Sequence, residues 1–164
     1  MVPRGSLAGV SFESAARAWM GRSALDIRMG SGGPGVQSIS GGGGGPWGFA
    51  TSDGRITITP GGPASVGKDA VRGTIAHEIG HVLSLNHPPG GYGATGSIMS
   101  AGMNGGYWPS SSDYAKLAEI YGEPGKGVKK YDDPGGGGGV LSGLLDLIGF
   151  DKLLEKIPGG GFAK

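Results

Sequence analysis

No cysteine occurs among the 164 residues, so disulfides contribute nothing to this fold, although that absence does not decide its compartment. Charge is also scarce. Charged residues make up 16% of the chain and the formal net charge is +1. No basic block is large enough to hold nucleic acid: Lys126, Lys129 and Lys130 stand beside Glu123, Asp132 and Asp133. No apolar run approaches the ~18–20 residues of a membrane-spanning helix. No signal peptide is visible, and a removed one would leave no trace.

Glycine, by contrast, is abundant. With 39 glycines and 11 prolines, composition alone points toward low complexity. The glycines are clustered, however, at 41–45, 135–139 and 159–161, and the segments between keep ordered apolar patterns. Ordered elements joined by loose loops are the expectation. The length suits one ordinary domain with something appended.

All three histidines fall in eleven residues, His77-Glu78-Ile79-Gly80-His81-Val82-Leu83-Ser84-Leu85-Asn86-His87. Spaced four apart, His77 and His81 share one face of a helix, about one turn apart, which suits two nitrogen ligands to one metal ion. Glu78 is one step round, within reach of a water on that ion. His87 lies beyond the end of any such helix and can return as a third ligand. Three protein ligands and an open fourth position describe a catalytic zinc site, since a structural one is closed. HExxH with the Glu as general base is a metalloprotease signature. A lone HExxH also arises by chance, His87 could be a surface histidine, and Met99 in Ser97-Ile98-Met99-Ser100 could be a core filler. The joint spacing argues against those coincidences and for zincins with a Met-turn.

Residues 8–122 thus resemble a compact metzincin catalytic domain, closest in layout to the matrixins. The resemblance implies an α+β fold, with a small twisted mixed sheet, two or three helices and a cleft between two subdomains. It implies His77, His81 and His87 as zinc ligands, Glu78 as base and Met99 beneath the metal. Because cysteine is absent, a matrixin-type cysteine latency switch cannot lie in this chain. One position departs from the pattern. Where the family usually turns on glycine, this chain has Ser84, and a left-handed conformation there costs Ser about 1 kcal/mol relative to Gly.

Around the motif, Met1–Ser6 resembles the remnant of a thrombin-cleavable tag and is set aside from the fold. Phe12, Ala15, Ala16 and Trp19 recur at helical spacing over residues 11–20, resembling the family's first long helix. Leu25 to Met29 alternates with period two, predicting a strand, and Val36–Ile39 suggests a short one. Trp47 to Ala50, Ser52-Asp53-Gly54 and Arg55 to Thr59 read as a hairpin. By position in the family, Ile56, Thr57, Ile58 and Thr59 are the candidate edge strand for an extended substrate; a plain edge protected by Pro60 fits equally. The stretch Pro60-Gly61-Gly62-Pro63 ends it. The zinc helix is expected to start between Val66 and Asp69. Tyr92 and Tyr107 are expected to wall the cleft, and Ala101 stands where astacins carry a tyrosine. The stretch from Met99 to Trp108 is expected to wall the specificity pocket. Ser110 to Asp113 offers a capping box to a helix ending at Gly122, like the last matrixin helix; Asp113 is a candidate for a buried tie to the domain as well.

From Glu123 the pattern changes. Residues 123–139 read as a Gly/Pro-rich linker, 140–158 as an amphipathic helix and 159–164 as a flexible tail. That helix must pack on the domain, on a partner or on a surface. Its mixed charges disfavour anionic lipid. In composition the segment resembles long phage tail-length proteins, some of which carry peptidase or muralytic domains. The sequence leaves the compartment unassigned, an extracellular or virion-associated setting being favoured over the cytoplasm.

The expected chemistry is hydrolysis of a protein or peptide substrate by zinc-activated water, with Glu78 as base. Two other readings remain open. One is a non-catalytic zinc-stabilised module of a larger virion or surface protein, against which an intact Glu78 argues. The other is a peptidase acting on cell-wall cross-link peptides.

Overall fold

The computed structural model describes residues 1–30, 34–59, 61–91, 96–102 and 106–126. Its elements in chain order are β1 (Ser6–Leu7), β2 (Val10–Ser11), α1 (Phe12–Ala16), β3 (Ser38–Gly41), β4 (Gly48–Ala50) and β5 (Arg55–Ile58), then α2 (Gly61–Val66), α3 (Lys68–Val82) and α4 (Ser111–Tyr121). The chain is therefore α+β, with small sheets and a few helices. Among the described residues no helix is long and apolar enough to cross a membrane. Pro60, Tyr92, residues 127–139 of the expected linker, the amphipathic stretch 140–158 and the tail 159–164 lie outside the described residues.

Alternation builds the main sheet. Ile56 and Ile58 are buried, while Arg55 stays exposed and Thr57 half-buried, as a strand covered on one face requires. The strand order is β3-β5-β4, with β3 parallel and β4 antiparallel to β5. The expected hairpin is present. Gly54, at φ 80°, closes it, and its amide donates to the Thr51 carbonyl at 2.9 Å. The carbonyl of Gly35 would stand 2.2 Å from a Cβ at position 54, so only glycine fits both the turn and its neighbour.

The structure corrects the expected edge. Ile56, Thr57 and Ile58 form the central strand, paired on one side by Ile39, Ser40 and Gly41 and on the other by Ala50, Phe49 and Gly48. Thr59 continues the same ladder, its amide donating to the Trp47 carbonyl at 2.8 Å. With both flanks paired, β5 has no free N–H and C=O row to offer. Among the described residues the outer edges of this sheet are β3 and β4, and β4 is the one that lines the cleft. The reason β5 is not an edge is the parallel strand β3, which arrives from the glycine-rich stretch where sequence periodicity is faint.

Three further expectations are modified. The helix expected over 11–20 is regular only for α1, after which Ala18 and Trp19 donate to Ala15 and Ala16 in tighter i to i+3 bonds. Its apolar face is as expected, with Phe12, Ala15, Ala16 and Trp19 all buried, but it packs on α3. Leu25 to Met29 forms no strand. Only Met29 pairs, in a single parallel bridge with Val2, while Asp26 and Arg28 pair with each other. The partner of that segment is Met1–Ser6, the stretch set aside from the fold. Val2 is buried, its amide donates to Arg28, and Ser6 pairs with Ser11. Finally, β5 ends at Ile58, ahead of the expected terminator at 60–63, and from Gly61 the chain enters a short helix, α2, which tolerates Pro63 in its first turn, where no amide is needed.

The core lies where α3 crosses the sheet and packs on α1. Ala70, Val71, Ile75 and Ile79 are buried on α3, joined by Trp19, Ile98 and Leu117. Trp19 fixes the helix position, its indole N–H donating to the Ala76 carbonyl at 2.9 Å. Position 80 must be small. A Cβ there would come within 2.5 Å of the Met99 sulfur and 3.0 Å of the Trp19 ring.

Candidate metal centre

Helix α3 begins at Lys68, inside the expected window, and carries His77, Glu78 and His81 in its last turns. It ends in a Schellman motif. Ser84 donates to the His81 carbonyl and Leu85 to the Gly80 carbonyl, each at 2.9 Å. The left-handed residue this motif needs is Ser84, at φ 66°. Serine thus performs the turn that glycine makes in the resembling family. Tyr121 of α4 supports it from outside the helix: the phenol donates to the Leu83 carbonyl at 3.4 Å and meets the Ser84 hydroxyl. The turn redirects the chain so that His87 comes back over the helix end.

The three imidazoles converge. Nε2 of His81 lies 3.1 Å from Nε2 of His77 and 3.1 Å from Nε2 of His87, and the third side of the triangle is 3.3 Å. The other ring nitrogens settle which protons are present. His77 Nδ1 lies 2.6 Å from the Ile98 carbonyl and His81 Nδ1 lies 2.9 Å from the Leu85 carbonyl. Carbonyls only accept, so these nitrogens carry protons and donate. Their Nε2 atoms are then unprotonated, with lone pairs pointing at one another. Such a cluster repels itself unless a cation sits among the lone pairs. Three nitrogens around one ion at 2.0–2.1 Å with tetrahedral angles would stand about 3.3 Å apart. The triangle matches that spacing, so the residues present fit a metal ion.

Burial decreases along the set. His77 is buried, His81 half-buried and His87 exposed. Desolvation pushes His77 down to about 4, opposed by its bond to Ile98, and lowers His81 for the same first reason. Both are therefore held neutral, as ligation requires.

Glu78 is 4% exposed, and its Oε2 is buried without a hydrogen-bond partner. Burial raises its pKa to about 7. The carboxylate lies under β4. Gly48 pairs with Ile58 and shares the inward face of the sheet, and a Cβ there would be 2.9 Å from Glu78 Oε1. Glycine lets the strand backbone pass directly over the carboxylate.

These groups line one open cleft of about 780 Å³, with Gly48, Phe49 and Ala50 of β4 on one wall and Ala101 and Gly102 after Met99 on another. Of the expected pocket wall, Ala101 and Gly102 are present, whereas Tyr107 and Trp108 are not among the lining residues. Met99 is buried against Gly80 of the helix that carries the ligands. Its turn is anchored by Asp113, which fills both roles considered for it. Its Oδ2 accepts from Ser110 N at 2.7 Å, closing the capping box of α4, and from Ile98 N at 3.0 Å.

Comparison of the chain with protein-family models, with curated proteins and with solved structures returns no match. The site's interpretation therefore rests on its own geometry.

Sequence reasoning missed the wall formed by residues 46–52, read only as half a hairpin. A glycine between two aromatics, Trp47-Gly48-Phe49, was the available signal of close backbone approach. It also passed over the hydroxyl of Ser97, which bonds to Asp113 Oδ1. The residues proposed as metal ligands are brought together, and Glu78 shares their cleft.

Proposed function

We propose that this chain is a zinc-dependent endopeptidase with a metzincin-like, two-subdomain cleft closest in layout to the matrixins. The observation that carries this reading is the triangle of three histidine Nε2 atoms beside a buried carboxylate oxygen with no partner, in one open cleft. His77, His81 and His87 would hold the ion, the first two through Nε2 with their tautomers fixed by main-chain carbonyls. When bound, zinc supplies Lewis acidity toward the scissile carbonyl and a water of lowered pKa.

The chain's own residues do the rest. Glu78 Oε2, free of other bonds, accepts the proton of the attacking water and returns it to the leaving amine. Burial raises this carboxyl to about 7 in the metal-free protein, and a bound dication would favour its charged form, the form that acts as base. The outer edge of β4, unpaired among the described residues, offers main-chain N–H and C=O groups to an extended peptide as an added antiparallel strand. That places the substrate across the cleft wall at Gly48, over Glu78. The identity of the side chains selected remains with the pocket beyond Ala101.

The test is cleavage of unfolded casein by wild type and by Glu78→Ala, each with and without a zinc chelator. Cleavage lost in the variant and under chelation supports the peptidase. Zinc-loaded wild type that cuts neither casein nor cell-wall peptides would overturn it in favour of a non-catalytic zinc-stabilised module.

A further inference from the structure

His77 differs from His81 in what stands behind its carbonyl. The Leu85 carbonyl that receives His81 belongs to the helix's own terminal turn. The Ile98 carbonyl that receives His77 belongs to a peptide whose other end is also engaged. In the same peptide unit, Met99 N–H donates to Ser97 Oγ at 3.0 Å. The Ser97 hydroxyl in turn donates to Asp113 Oδ1. The hydrogen bonds thus run one way, from imidazole through peptide and hydroxyl to a carboxylate. Dipoles aligned head to tail polarise one another, and more so where water is excluded. Ser97, Ile98, Met99, Asp113 and His77 are all buried.

Asp113 divides its labour between its two oxygens. Oδ2 takes the structural bonds, from Ile98 N and from the amide and hydroxyl of Ser110. Oδ1 is engaged by Ser97. A carboxylate needed only to cap α4 and pin the loop would already be served by Oδ2.

We propose that Ser97 and Asp113 are positioning residues for the metal, acting on His77 through the Ile98–Met99 peptide. The relay fixes the His77 tautomer and makes its Nε2 a stronger donor than that of His81. It rests on reading the three histidines as metal ligands. A carboxylate behind a ligand histidine is a common second-layer arrangement; here a hydroxyl and a peptide are interposed.

Two measurements test it. The first is the NMR resonance of the imidazole Nδ1 protons in metal-free protein. The His77 proton lies downfield of the His81 proton in wild type and moves upfield in Ser97→Ala, with His81 unmoved. The second is zinc affinity by chelator competition. Ser97→Ala binds zinc about tenfold more weakly, as second-layer losses typically do. Ser110→Ala, which weakens the cap on the same carboxylate but leaves Ser97 in place, loses stability yet keeps its zinc affinity. Wild type with His77 upfield of His81 overturns the relay, and that measurement needs no variant to fold. So does Ser97→Ala with wild-type affinity, or Ser110→Ala weakened as much as Ser97→Ala. Failure of wild type to bind zinc would instead overturn the metal reading, while the metal-free resonances still report on the hydrogen-bond chain.

Discussion

Replacing Glu78 by Gln should make the metal-free protein more stable, and increasingly so as pH rises. Burial without a partner lifts Glu78 from the ordinary 4.5 to about 7. In the unfolded chain the carboxyl releases its proton near the ordinary value, whereas the native protein holds it until about 7. Between those values the native state binds more protons, so its stability falls as pH rises. The interval is about 2.5 pKa units at 1.36 kcal/mol each, or about 3 kcal/mol. Gln has nearly the shape of the protonated acid and does not titrate, so it escapes the loss. His77 and His81 are lowered instead, which makes both proteins gain stability as pH rises toward 6.5. That contribution is common to the two and drops out of their difference. The assay is urea unfolding of both proteins, stripped of metal, from pH 4.5 to 8. The gap should open across pH 4.5–7 and stay constant above. Adding zinc should narrow it, since a nearby dication favours the charged carboxylate. A gap equal at pH 5 and pH 8 would refute the reasoning and mean that Glu78 is already solvated or paired.

Other perturbations address the frame around the site. Ser84→Gly relieves the left-handed strain and should raise unfolding free energy by about 1 kcal/mol; a drop in melting temperature would show that the Tyr121 contact outweighs the strain. Gly80→Ala should cost about 1–3 kcal/mol through overpacking against Met99 and Trp19, read by denaturant midpoint. Gly48→Ala pushes on the Glu78 carboxylate and should lower kcat on casein by up to about a hundredfold while zinc affinity holds; a parallel loss of zinc would place the damage in the histidines. Zinc at a hundred times its Kd should raise native stability by about 2.7 kcal/mol, measured by thermal unfolding against chelated protein.

The histidine triangle was legible because its determinants are local. Four-residue spacing sets two ligands, and a helix stop followed by a short return sets the third. The same locality made the hairpin and the Ser110 capping box readable. What escaped were pairings between distant segments. The strand partner of β5 comes from a stretch of serine and glycine with little alternation, so the central place of Ile56 and Ile58 could not be seen. Val2 and Met29 meet across 27 residues in one bridge, too little to mark either segment as a strand. Residues 17–20 keep a helical apolar period, but Ala18 and Trp19 tighten to i+3 bonds ahead of Gly21.

The short span of β4 bears on solubility. A strand edge left open to receive a peptide is equally open to another copy of the same protein, and long flat edges template aggregation. Here the exposed row is three residues, beginning at a glycine and ending in a turn. That is long enough to register one extended segment over the cleft and too short to reward stacking of sheet on sheet. The brevity that limits what this strand can receive also protects the molecule from itself.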